Sequence, residues 1–140
     1  MMTISTRGRY ATRMAVLLAG RPAGTSMTKT EIAAAEGISA GYVQQLMMAL
    51  RLAGVIESHR GREGGFSLSR PAEDITVAEI LKAVEGDVVP APCLAGSPCD
   101  RETHCPTRPV WEEAASLLND LFSRTTIAEL AKKRAPGGPC

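Results

Sequence analysis

Several things are missing from this 140-residue chain, and each absence narrows what it can be. Its longest apolar run, Met14 to Ala19, is far too short to cross a bilayer, so a soluble protein with no membrane span is expected. The N-terminal residues carry no apolar signal segment, which points to a cytoplasmic protein whose thiols stay reduced. No internal repeat or low-complexity block is present, and no nucleotide-binding glycine pattern or paired acid–base motif suggests an enzyme. The formal net charge is only +1, which taken as a single figure gives no reason to expect a polyanionic partner. The chain is long enough for one compact domain and a helical extension, but too short for two large domains.

What is present includes Cys93, Cys99 and Cys105, with five residues between each pair, on a Pro/Gly-rich stretch between two helix-like segments. Thiolate is the soft donor that selects iron–sulfur clusters, zinc or copper(I), and an irregular loop allows three such side chains to converge. Zinc sites usually pair cysteines two to four residues apart and need a fourth ligand, whereas wider gaps suit a loop wrapped around a larger cluster. The pattern favours an iron–sulfur cofactor, 2Fe-2S or 4Fe-4S, over zinc and over unmetallated thiols. Cys140 makes the cysteine count even, so disulfide bonding is the further alternative.

The charge is unevenly spread. Residues 1–70 hold nine Lys/Arg against four Asp/Glu (9 − 4 = +5), and residues 71–140 hold seven against eleven (7 − 11 = −4). A basic front half suits a polyanion. In that half, Tyr10, Met14, Leu17 and Leu18 form one helical stripe, and Thr28 with Glu31 is a capping box for a second helix running to about Ala35. After the Glu36-Gly37 turn, Ser39 caps a third helix with Val43, Leu46, Met47, Leu50 and Ala53 on its inner face and Gly54 at its end. Helix, turn and capped helix is helix-turn-helix spacing. Val55–Ser58 and Phe66–Ser69 then alternate around a cationic, glycine-rich segment, as expected of a β-hairpin wing. The outer face of the third helix offers Gly41, Gln44, Gln45, Met48 and Arg51. A glutamine amide can donate to and accept from an adenine edge, and a helix N-terminus favours phosphate. Arg60 and Arg62 on the wing suit a narrow minor groove.

In the back half, Thr76 and Glu79 start a helix with Val77, Ile80, Leu81 and Val84 inward. A long helix is expected from about Val110 to Arg124, with Trp111, Ala114, Ala115, Leu117, Leu118, Leu121 and Phe122 spread too widely for one small core, which implies a partner helix. Thr126 and Glu129 cap a last short helix. The expected fold class is mainly α with a small β-hairpin: a winged helix-turn-helix domain over 1–86, a cysteine loop over 87–108, dimerisation helices over 109–133 and a flexible tail over 134–140.

With these pieces placed, the chain resembles the IscR, NsrR, RirA and CymR family of bacterial winged-helix transcriptional regulators, from Ile4 to about Lys132. The likeness rests on Ser5-Thr6-Arg7-Gly8-Arg9-Tyr10-Ala11, on Gly41-Tyr42-Val43-Gln44-Gln45-Leu46, on Arg60-Gly61 with Gly64-Gly65-Phe66, on the three cysteines and on Trp111. It implies a homodimer joined by the long helix, a double-stranded DNA operator as partner, and a cluster near the dimer interface held by Cys93, Cys99 and Cys105. It further implies DNA contacts from Ser39, Gly41, Tyr42, Gln44, Gln45 and Arg51, and from Arg60, Gly61 and Arg62 on the wing. Three positions depart from the pattern. Arg108 stands where IscR-like proteins have a histidine ligand, and Arg9 where NsrR-like proteins have an aspartate. Gln44 replaces the glutamate that penalises some DNA motifs in IscR-like proteins. His104, Asp100, Glu102 and Cys140 are therefore the candidates for a fourth ligand, together with a small external molecule. The alternative functions are a CymR-like regulator controlled by a partner protein or by thiol oxidation without a cluster, and a redox or electron-transfer protein.

Overall fold

In the computed structural model, residues 3–62 and 64–134 are described. Six α-helices and one hairpin follow in the order α1 (Thr6–Ala19), α2 (Lys29–Glu36), α3 (Ala40–Leu52), β1 (Ile56–His59), β2 (Gly65–Leu68), α4 (Val77–Glu85), α5 (Arg108–Arg124) and α6 (Ile127–Lys133). The mainly helical, winged architecture is the one the sequence pattern implies. Five helices begin where a hydroxyl can satisfy amides that have no partner inside the helix. Ser5 accepts from Gly8 N at 3.2 Å, and Ser39 accepts from Tyr42 N at 3.1 Å. Thr28, Thr76 and Thr126 each form a full capping box with Glu31, Glu79 and Glu129. At the end of α2, Gly37 N donates to Ala33 O at 2.9 Å and turns the chain towards α3.

A single core gathers Met14 of α1, Ile32 of α2, Val43, Leu46, Met47 and Leu50 of α3, and Ile80 of α4, all fully enclosed. Side chains of this size contribute about 1.5–3 kcal/mol each on burial. Ile127 of α6 is equally enclosed, and its amide donates to Ile75 O at 2.9 Å while Val77 N donates to Thr125 O at 3.0 Å. The short helix that the sequence groups with α5 is therefore fastened between α1 and the start of α4.

Three details differ from the sequence expectation. Ala53 is exposed rather than inward, because α3 ends at Leu52 and Ala53 is already its cap. The strands pair Ile56 with Leu68 and His59 with Gly65, one residue away from the expected bounds on each side. Phe66 also pairs with Met27, exchanging hydrogen bonds of 2.9 and 2.7 Å, so the wing leans on the segment before α2. This contact explains a glycine: at Gly65 φ is +144°, and a Cβ there would stand 2.3 Å from the Met27 carbonyl oxygen. α5 begins at Arg108, two residues before the expected Val110, with Pro109 in its first turn, where a missing amide hydrogen costs nothing. No helix among the described residues is long and apolar enough to cross a membrane.

Candidate nucleic-acid interface and thiol loop

α3 is anchored by one face. With Val43, Leu46, Met47 and Leu50 in the core, the opposite face presents Gly41, Gln45, Met48 and Arg51 to solvent, and the cap residue Ser39 is exposed beside them. Tyr42 and Gln44 are half-buried at the edges of this face, so Gln44 is less free than the sequence alone suggests. The first turn of α3 carries positive partial charge from its oriented amides, the arrangement that attracts a phosphate.

The chain passes from α3 into the wing through the Leu50 carbonyl, which accepts from Val55 N at 3.0 Å. Arg60, Gly61 and Arg62 are all exposed between the two strands. His59 is tied across the hairpin, its Nε2 lying 2.7 Å from Ser67 Oγ. Flexible cations at such a tip supply charge, while the amides of α3 can distinguish base edges.

One feature of this surface is invisible in the sequence. The Tyr42 ring meets Tyr10 of α1 edge-on, with centroids 6.1 Å apart and planes at 84°. Arg13 lies over the other ring of the pair, its Cζ 5.1 Å from the Tyr10 centroid, and its Nε stands 2.7 Å from Glu36 Oε2. In the sequence Tyr10 belongs to the apolar stripe of α1, and the only local signal of this contact is the i, i+3 spacing of Tyr10 and Arg13.

The thiol loop joins α4 to α5. Cys93 is half-buried in a 3-10 turn over Pro92–Ala95, and Cys99 is exposed. Cys105 is half-buried at the end of a second 3-10 turn over Glu102–His104. All three are free thiols. Arg108 organises one end of the loop. Its Nη1 reaches Glu102 at 3.1 Å and its Nε reaches Glu112 at 2.7 Å, and Cys93 lies within its electrostatic reach. Cys105 Sγ is 3.3 Å from Thr107 Oγ1. Hydrogen bonds from the Thr107 hydroxyl and amide, aided by the Arg108 charge, hold the Cys105 thiol below its ordinary pKa.

Two of the three thiols, Cys93 and Cys105, thus lie within electrostatic reach of one cation. Among the described residues, no three His, Cys, Asp or Glu side chains converge as metal ligands. Of the fourth-ligand candidates, Glu102 is engaged by Arg108, Asp100 and His104 are exposed, and Cys140 lies outside the described residues. The donor set itself fits an iron–sulfur cluster in chemistry: three unbonded thiols, one with a stabilised thiolate, on an irregular loop where each is exposed or half-buried.

On the far side of the loop, α5 has no buried residue. Leu117 is 64% exposed, and Val110, Trp111 and Leu121 are exposed with it.

A family model described as Rrf2, iron-dependent transcriptional regulator, matches residues 4–133. The protein rrf2 of Nitratidesulfovibrio vulgaris is 36% identical over 132 residues, 94% of this chain and 88% of that protein. The HTH-type transcriptional regulator IscR of Vibrio campbellii is 30% identical over 131 residues, 94% of this chain and 78% of that protein. Among solved structures, CymR, the global cysteine regulator of B. subtilis, superposes with a TM-score of 0.82 at 30% identity, covering 96% of this chain and 100% of that one. IscR of T. potens does so with a TM-score of 0.78 at 28% identity, over 99% and 92%.

Proposed function

The chain belongs to the Rrf2 family of iron-dependent transcriptional regulators, and from that premise we propose that it is a homodimeric, operator-binding regulator whose DNA affinity follows the state of an iron–sulfur cluster on Cys93, Cys99 and Cys105. The family and the IscR relatives are transcriptional regulators rather than enzymes, which argues against an electron-transfer or redox-enzyme role. When bound, such a cluster supplies a centre sensitive to oxidation, iron supply and nitric oxide.

The observation that carries the reading is the position of the three thiols between two elements with different duties. α4, at the loop's entrance, is packed into the core through Ile80 and Leu81. α5, at its exit, holds no buried residue and offers the apolar face on which a second copy can seat. Drawing the thiols together therefore pulls on the junction of DNA domain and dimer helix at once. A shift there changes the spacing of the paired α3 helices, and half-site spacing governs affinity for a palindrome. Ser39, Gly41, Tyr42, Gln44, Gln45 and Arg51 serve the major groove in this reading, and Arg60, Gly61 and Arg62 the adjacent minor groove.

The test is iron and sulfide content of anaerobically prepared protein, with single Cys→Ala variants. Wild type should carry iron and acid-labile sulfide, and Cys93→Ala, Cys99→Ala and Cys105→Ala should each lose most of it. Full occupancy in Cys99→Ala contradicts the ligand assignment. A second reading, regulation without a cluster as in a CymR-like protein, is favoured by the likeness to CymR and by the thiols not converging. Wild type that remains free of iron after anaerobic preparation selects it.

A further inference from the structure

Glu36 is the one charged residue buried among the described residues, its side chain only 3% exposed, and it sits at the last position of α2, before the turn that leads to α3. Its partner Arg13 is 30% exposed in the side chain. Arg13 Nε and Glu36 Oε2 have no hydrogen-bond partner apart from this ion pair. Burying such a pair seldom adds stability over an apolar pair of the same volume, because desolvation offsets the attraction. Its distinctive effect is directional: it fixes where the guanidinium lies, and apolar packing does not.

What the guanidinium faces is the Tyr10 ring, at 5.1 Å, in the range where a cation is attracted to a ring face. Tyr10 in turn meets Tyr42 edge-to-face. Aromatic pairs prefer this arrangement to a face-to-face sandwich, so the two rings favour one mutual orientation. Tyr42 is thereby held twice, through its backbone by the Ser39 cap and through its ring by α1. A chain of four side chains runs from the end of α2, across α1, to the first turn of α3.

We infer that Tyr10, steadied by the Arg13–Glu36 ion pair, positions Tyr42 and so acts as a specificity determinant for DNA reading by α3. This rests on the proposal that the outer face of α3 reads the operator. Tyr10 works through Tyr42, so its loss should relax discrimination between sequences without removing a phosphate contact.

The experiment uses the full chain prepared anaerobically, with fluorescence anisotropy on a palindrome selected from random DNA and on a scrambled duplex of equal length. Tyr10→Leu should lower the ratio of the two affinities by about five- to tenfold, within the range of one lost base-specific contact. The salt dependence on either duplex should not change, because no counterion-releasing contact is lost. Tyr10→Phe, which keeps the ring, should restore the ratio. Glu36→Gln, close in shape and retaining a hydrogen-bond acceptor, should give an intermediate loss with a helical circular dichroism spectrum like wild type, which keeps the test open should Tyr10→Leu fold poorly. Gln45→Ala serves as the reference for the α3 reading. A lowered ratio in Gln45→Ala with an unchanged ratio in Tyr10→Leu and Glu36→Gln overturns the positioning role alone. An unchanged ratio in all three overturns that role together with the α3 reading. An equal loss in Tyr10→Phe and Tyr10→Leu also overturns the inference, since the ring would then not be the positioning element.

Discussion

Replacing Gly65 by alanine strikes the point where the wing meets the body. At φ +144° an L residue costs about 1–3 kcal/mol in backbone strain. The new Cβ would also stand 2.3 Å from the Met27 carbonyl oxygen, well inside contact distance. Relieving that clash means separating Phe66 from Met27, whose two hydrogen bonds are worth about 1 kcal/mol each. These costs overlap, since a strand that shifts to relieve the clash also relaxes its φ. A net loss of about 3 kcal/mol follows, a large share of the total for a domain of this size and enough to lower Tm by about 10 °C. Gly24→Ala is the control: its φ is +81°, yet nothing lies within 4 Å of the added Cβ, so strain alone acts there at about 1 kcal/mol. Guanidinium denaturation followed by circular dichroism measures both. Equal losses in the two variants would refute the claim that close approach to Met27 dictates Gly65.

The exposed face of α5 predicts that Leu117→Glu, at a position 64% exposed in the single chain, leaves the protomer folded but converts a dimer to monomers by light scattering; a wild-type chain that is already monomeric at micromolar concentration contradicts it. The lowered Cys105 pKa predicts thiolate, the reactive form, at lower pH than for an ordinary thiol. In cluster-free protein whose other cysteines are serine, the midpoint of the Cys105 alkylation rate should lie below that of an unstructured cysteine peptide measured alongside, and Thr107→Val should move it upward; no movement would dismiss the Thr107 hydrogen bond as its cause. Arg60→Ala should weaken binding most on sites with A·T-rich flanks and flatten the salt dependence; a loss independent of the flanking sequence would argue against a minor-groove role.

The features that sequence made legible are local ones. Capping boxes at Thr28, Thr76 and Thr126 depend on residues three apart, and the inner faces of α3 and α4 follow from a 3.6-residue period. Non-local contacts were not legible. Nothing near Gly65 in the chain announces that Met27 approaches it, and nothing near Tyr42 announces Tyr10 or the buried charge of Glu36 behind it. Ile127 was readable as a helix residue, but not as part of the core beneath α1. Periodicity puts Ala53 inward because it extends past the residue where the backbone stops being helical. The thiols are a different case. Their identity and spacing were plain, but the loop residues that carry them are exposed or half-buried, so chain packing does not dictate where the sulfur atoms sit.

Whether α3 reads DNA sequence is decided by Gln45→Ala in a competition between a selected palindrome and a scrambled duplex, with protein prepared with and without iron. Gln45 is exposed on the outer face, so its loss leaves the fold intact. Base reading by α3 entails a cost of about 1–3 kcal/mol on the palindrome and almost none on the scrambled duplex. Equal losses on both would contradict it, leaving a protein that holds DNA by charge without reading it.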